Sequence, residues 1–117
     1  MNKFSVTLPL TGEYLTTVRL TTGGLCSLAA FDVDAAEDYK VCVTESLLIL
    51  QRAGFANATL TFTVGETLAC TLVGEGEGEP ISTSEEEISY ALLSALLGKV
   101  DYTKDNAGKV LAIHFEG

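Results

Sequence analysis

Residues 34–54, DAAEDYKVCVTESLLILQRAG, read as one helix whose apolar half carries a single carboxylate, Glu45. Asp34 is placed to cap the first free amides, Glu37 three residues on to reach back as in a capping box, and Gly54 to take the left-handed turn that ends a helix. Between Val41 and Leu50 the side chains of Val41, Cys42, Val43, Leu47, Leu48, Ile49 and Leu50 leave almost no polar face. A helix apolar on most sides must be covered on most sides, so this segment is expected at the centre of the fold. Glu45 lies four residues from both Val41 and Ile49 and shares their face. An ionised carboxylate there requires water, a partner or a ligand, whether it stands at the rim of the core or in a chemical centre.

The rest of the chain supplies the cover. Lys3 to Leu10 alternate as a strand with Phe4, Val6 and Leu8 on one face, and Pro9 suits an edge or a strand end. Thr11 to Phe31 has approximate helical spacing, with a break or kink expected at Gly23 and Gly24. Ala58–Val64 and Thr67–Val73 alternate strongly and predict a hairpin, with Gly65 and Glu66 as a tight two-residue turn. Gly74 to Pro80, GEGEGEP, has no apolar side chain to bury apart from the proline ring and reads as a loop. A third helix is expected from the Ser84 cap, with Glu87 completing a capping box, to Gly98; Ile88, Ala91, Leu92, Ala95 and Leu96 share one of its faces. Val100–Lys104 and Lys109–Phe115 then predict a second hairpin across Asp105 to Gly108. The order strand, helix, helix, strand, strand, helix, strand, strand, without internal repeat, indicates a layered α+β sandwich.

Composition narrows the function classes. With 117 residues, 47% of them hydrophobic and 20% charged, the chain is expected to form one domain over residues 1–117. No stretch approaches the roughly eighteen apolar residues of a membrane helix, and the first residues carry no cleavable leader, so a soluble, cytoplasmic protein is expected. Cys26, Cys42 and Cys70, odd in number and set among apolar residues, read as buried hydrophobes rather than a disulfide frame or zinc site. Seven basic residues against sixteen acidic ones give a net charge of −9, with no basic cluster, which argues against nucleic-acid binding. His114 stands alone on the face opposite Ile113 and Phe115, and neither Thr44 nor Ser46 beside Glu45 has a His or Lys partner in the pattern of a nucleophile.

Taken together, VTESLLILQRAGF, TLVGEGEGEPI and YALLSALLGKVDYTKDNAGKVLAIHF resemble, in order, the helix motif, first glycine box and closing helix and hairpin of the gyrase, histidine-kinase and heat-shock-chaperone ATPase superfamily. The resemblance is closest to its small bacterial anti-sigma factor and serine-protein kinase branch. It implies a two-layer α/β sandwich with a mixed, mostly antiparallel sheet and helices on one face. In that family the helix motif is Glu, three residues, Asn, in which the Glu acts as base and the Asn holds the magnesium on ATP. Glu45 matches the base, but Ile49 stands at the Asn position and cannot ligate a hard cation. The family's glycine box is Asp, any, Gly, any, Gly; Gly76 and Gly78 match, whereas the adenine-reading Asp is Gly74. The flexible lid between that box and the next helix is shortened, and Glu75, Glu77 and Glu79, with Glu85 to Glu87 beyond, would repel phosphates. The resemblance therefore implies a retained fold with degenerate ATP and magnesium motifs and a vestigial base in Glu45. Its partner would be a sigma factor or anti-sigma-factor antagonist, with homodimerisation of the kind such proteins show. An active ATP-dependent serine-protein kinase using Glu45, and an acidic module binding a small ligand or metal at the GEGEGEP loop, are the competing readings.

Overall fold

The computed structural model describes residues 2–79 and 86–117. Its elements follow the expected order: strand β1 (Asn2–Pro9), a 3-10 turn at Gly12–Tyr14, helices α1 (Leu15–Leu28) and α2 (Val33–Arg52), strands β2 (Asn57–Val64) and β3 (Leu68–Glu75), helix α3 (Glu86–Leu97), and strands β4 (Asp101–Lys104) and β5 (Val110–Glu116). The strands form one sheet in the order β1-β2-β3-β5-β4. All four pairings are antiparallel, which corrects the expected mixed sheet. The reason is topological: each neighbouring pair is either a direct hairpin or joined by a connection that brings the chain back in the opposite sense.

Alternation along the strands separates two faces. Phe4, Val6 and Leu8 align with Phe62, Leu60 and Ala58, which in turn align with Cys70, Leu72 and Gly74, and Phe115 and Ile113 extend the rows. From Leu8 inward these side chains are almost entirely buried under the helices. The opposite face carries Ser5, Thr7, Thr59, Thr61 and Thr71, whose hydroxyls pair across the strands: Ser5 with Thr61 at 3.0 Å, Thr7 with Thr59 at 2.7 Å. His114 lies on this face, its Nδ1 2.7 Å from the Thr71 hydroxyl. The two-layer α+β arrangement is thus written in the period-two pattern.

Helix α2 spans the covered face as expected, but it begins earlier than its sequence signals suggested. Asp32, not Asp34, is the cap, its Oδ1 accepting from the Ala35 amide at 2.7 Å, and Glu37 turns to Lys40 at 2.9 Å instead of closing a capping box. Asp32 and Asp34 are equally suitable caps; the tight end of α1 leaves Asp32 already extended and so selects it. Within α2 the buried hydroxyls of Thr44 and Ser46 donate to the carbonyls of Lys40 and Cys42, at 2.9 and 2.8 Å, so they occupy the core without an unpaired donor.

Helix α1 is unbroken at Gly23 and Gly24, against the sequence expectation. Gly23 faces α2, where an added Cβ would lie 2.9 Å from Cε of Lys40, while Gly24 faces open space. Packing against α2 outweighs the propensity cost of two glycines, about 1 kcal/mol each. Both helices instead end in the same motif. In α2, Gly54 at φ 100° follows the last turn and the Phe55 amide returns to the Leu50 carbonyl; in α1, Ala30 at φ 58° does the same and Phe31 returns to Cys26. The first hairpin also departs from expectation. Val64 faces Leu68, so Gly65, Glu66 and Thr67 form a three-residue loop closed by the Gly65 amide on the Thr67 carbonyl, and Gly65 has no positive φ. The second hairpin turns where expected, with Asp105 Oδ1 accepting from the amides of Ala107 and Lys109, both at 2.9 Å.

The three cysteines are free and buried. Burial pushes the thiols of Cys26 and Cys70 up, and that of Cys42 up to about 12, where Asp38 and Glu45 add to the effect. At pH 8 all three remain protonated, so an aromatic disulfide reagent is expected to modify them only as the protein unfolds, and all three at once in denaturant. The helix ends give a second expectation: Gly24→Ala and Ala30→Gly should each raise the melting temperature, the first by supplying a methyl in open space and the second by relieving a left-handed alanine, each worth up to about 1 kcal/mol. A lower melting temperature for either would contradict the packing described.

Candidate functional site

The C-terminal half of α2 meets α3 at Glu45 and Arg52, and Ile49 and Arg52 face α3 and the β4–β5 turn across a groove. Glu45 is half-buried, and its Oε2 accepts from the Ser89 hydroxyl of α3 at 2.7 Å. The same Ser89 oxygen accepts from Nη1 of Arg52 at 2.8 Å. A chain of two hydrogen bonds therefore runs from a guanidinium through a fully buried hydroxyl to the carboxylate, and it ties α3 to α2. Glu45 thus has the partner its position demanded. Ser89 and Arg52 were not singled out from the sequence. Arg52, seven residues after Glu45 and two turns along the same face, was the available signal, whereas Ser89 becomes a partner only once α3 is docked.

Ile49 is buried, and together with Arg52, Ala53, Glu86, Tyr90 and the turn residues 107–110 it lines a groove of about 330 Å³. Glu45 is not among the residues lining this groove. The groove has an aliphatic floor at Ile49, the cations Arg52 and Lys109, and the acid Glu86. It provides no oxygen ligand at the position where the resemblance places a magnesium-holding Asn.

The glycine box is organised by packing. Gly74 lies inside β3 rather than in a loop, paired with Ala58, which corrects the expected loop start. An added Cβ at Gly74 would overlap the ring of Phe55, which sits against it. Lys109 Nζ lies 4.3 Å from the centre of the same ring on a cation–π contact. Gly76 has φ 73°, and the Gly78 amide donates to the Gly54 carbonyl at 2.7 Å. Cβ atoms at Gly76 and Gly78 would lie 3.3 Å from Nδ2 of Asn57 and 3.2 Å from the Phe55 backbone. The glycines let the segment lie flat on Phe55–Asn57; close approach explains them without a phosphate. Of the alternating acids, Glu75 accepts from the Thr59 hydroxyl at 2.8 Å on the outer face, while Glu77 and Glu79 are exposed. The Ser84 cap, Glu85 and the shortened lid fall on residues 80–85, outside those described.

Helix α3 reverses an expectation. Its core side is Ser89 and Leu93, joined by Tyr90 and Leu97; Ile88 is 57% exposed, Leu96 37%, and Ala91 and Ala95 also face solvent. Of the stripe read as core-facing, Ile88, Ala91, Ala95 and Leu96 lie on the outer surface and Leu92 is half-buried, because Ser89 is drawn inward by Arg52 and Glu45. Tyr90 in turn stacks edge-on with Tyr102 of β4, ring centres 5.3 Å apart. Among the described residues no group of three His, Cys, Asp or Glu side chains is placed to hold a metal ion, and no helix is long and apolar enough to cross a membrane.

No protein-family model matches the chain, and no curated protein matches it in sequence. Sequence motifs and geometry therefore carry the functional reading.

Replacing Ser89 with Ala is expected to leave Glu45 and Arg52 without their shared partner and to cost about 1–3 kcal/mol in chemical unfolding. Gly74→Ala should also destabilise the protein, and Phe55→Ala should have a smaller additional effect in that background than alone, because both changes act on one contact. Additive losses would show that Phe55 and Gly74 are not packed as described.

Proposed function

We propose that this chain is a regulatory domain that works by contact with another protein, resembling an anti-sigma factor whose ATP site has degenerated. What carries the reading is the apolar outer stripe of α3, Ile88, Ala91, Ala95 and Leu96, standing beside a site whose polar groups are engaged with one another. Exposed apolar side chains in a row on one helix are characteristic of a surface that another macromolecule covers. On the nucleotide side, Phe55 lies against Gly74 where the resemblance would place an adenine-reading Asp, Ile49 replaces the magnesium ligand, and Glu45 is held by Ser89. Each change removes a separate requirement for phosphoryl transfer: base recognition, charge neutralisation and a free general base. By the resemblance, the partner is a sigma factor or an anti-sigma-factor antagonist.

A second reading, binding of a small anionic ligand, draws on Arg52 and Lys109 in the groove beside Ile49. Calorimetry separates the two. Titration with ATP and magnesium is expected to give no measurable heat of binding, and Gly74→Asp should not restore it, because Phe55 already occupies that space. Tight nucleotide binding by the unmodified protein would overturn the proposal. In co-purification with a sigma factor or antagonist from the same genome, Ile88→Asp should abolish the complex while leaving the melting temperature nearly unchanged, since Ile88 is more than half exposed. Undiminished binding by that variant would remove α3 from the interface.

A further inference from the structure

Between β1 and α1 lies an apolar cavity of about 180 Å³, away from the groove at Ile49. Its floor is the covered face of the sheet, where Val6 stands opposite Leu60 and Leu8 and Phe62 lie to either side. Leu60 and Phe62 are fully buried and Leu8 nearly so, so the space reaches down to core residues. Its roof is the start of α1 and the turn before it. Tyr14, Thr17, Val18 and Thr21 line it at offsets of three and four residues, which puts them on one helical face.

That face is built from short side chains. A valine and two threonines lie over this end of the sheet, whereas two turns beyond Val18 the longer Leu25 fills its place in the core. Threonine reaches no further than its γ atoms, so helix and sheet leave a gap between them. Close-packed interiors hold few voids larger than a water molecule, and an apolar void costs stability in proportion to its volume. A molecule that fills the void therefore stabilises the fold by binding.

Size, lining and charge define that molecule. An apolar cavity of about 150 Å³ takes up benzene, so this one suits a single six-membered ring with a small substituent. Phe62 on the sheet side and Tyr14 on the helix side add two aromatic rings to the lining, which favours an aromatic guest. Among the described residues no charged side chain lines the cavity. Arg19, the cation of α1, is turned toward α2, its Nε donating to the Thr44 hydroxyl at 3.3 Å. An ionised guest would be buried without a partner, so the guest is neutral. The helix side nevertheless offers hydroxyls. That of Thr21 donates to the Thr17 carbonyl at 2.9 Å and so retains its capacity to accept.

We infer that the β1–α1 cavity is a binding site for a neutral single-ring phenol, whose ring packs on Phe62 and whose hydroxyl donates to Thr21. None of its residues belongs to the groove at Ile49 or to the α3 stripe, so the inference does not depend on the proposed regulatory contact.

Titration of the ¹⁵N-labelled protein with p-cresol, followed by two-dimensional NMR, tests it. Saturable shifts are expected on the amides of residues 6–8, 14–21 and 60–62. Toluene, which has the ring without the hydroxyl, should bind roughly three- to tenfold more weakly, the scale of one hydrogen bond. Benzoate, which carries a charge, should not bind. Thr17→Leu, which enlarges a side chain on the cavity wall, should keep a native melting transition and weaken p-cresol by about tenfold or more. Thr21→Val, similar in shape but without the hydroxyl, should bring p-cresol down to the affinity of toluene. Absence of saturable p-cresol binding overturns the inference, as does affinity unchanged in Thr17→Leu or a preference for p-cresol that survives Thr21→Val. Benzoate binding as tight as that of p-cresol, or shifts centred on residues 49–53 and 107–110, overturns it as well.

Discussion

Helix α2 is held at both ends by side-chain hydrogen bonds to backbone carbonyls of other elements, and the fold depends on that anchorage. Near its start, the buried Tyr39 hydroxyl donates to the Leu68 carbonyl at 2.8 Å, while its ring packs edge-on against Phe31 and Phe115. Near its end, Gln51 Nε2 donates to the Leu10 carbonyl at 2.9 Å. Between these points Cys42, Val43, Leu47, Ile49 and Leu50 lie on the core formed with Leu60, Phe62, Cys70, Leu72 and Phe115. Hydrophobic burial supplies the energy but is nearly indifferent to small rotations of a helix on a sheet; the two hydrogen bonds fix where α2 stops. That rotation decides which side of α2 presents Glu45 to α3, and so the whole polar chain through Ser89 follows from it.

Tyr39 also makes the anchorage sensitive to alkali. Burial, with smaller effects from neighbouring thiols and Glu116, holds its phenol well above the usual tyrosine range. A group whose folded value lies above its unfolded value of about 10 stabilises the protein fully below that pH, and the contribution is lost as pH rises further. The clamp thus holds throughout the neutral range and weakens only in strong base.

Much of the architecture was legible because it rests on local rules. Alternation along β2, β3 and β5, the turn at Asp105, and the glycine stops at Gly54 and Gly98 each concern neighbours in sequence. Apart from the three-residue loop at Gly65 to Thr67, the errors originate in contacts between distant segments. Gly23 and Gly24 predict a break until α2 is laid alongside; Asp32 and Asp34 are indistinguishable caps until the end of α1 is known; the stripe from Ile88 to Leu96 reads as core until Ser89 is claimed by Arg52 and Glu45. At the candidate site, Glu45 and Ile49 could be placed on one helical face from spacing alone. The roles of Phe55 and Gly74 could not, because a missing side chain acquires meaning only from the ring that occupies its space.

The strand order has a consequence for how the molecule is made. β5, which follows the other described elements in sequence, sits inside the sheet between β3 and β4, while β1 pairs with a strand whose partner residues lie between 48 (Pro9 with Asn57) and 62 (Asn2 with Val64) positions away. During synthesis β1, β2 and β3 can assemble as soon as they emerge, but the free side of β3 stays open and α2 lacks the cover of Ile113 and Phe115 until the final strand arrives. For that interval the nascent chain presents two bare edges flanking an apolar face, the condition in which strands of different chains pair by mistake. Placing β5 in the interior makes its arrival, rather than formation of any one hairpin, the step that closes the core.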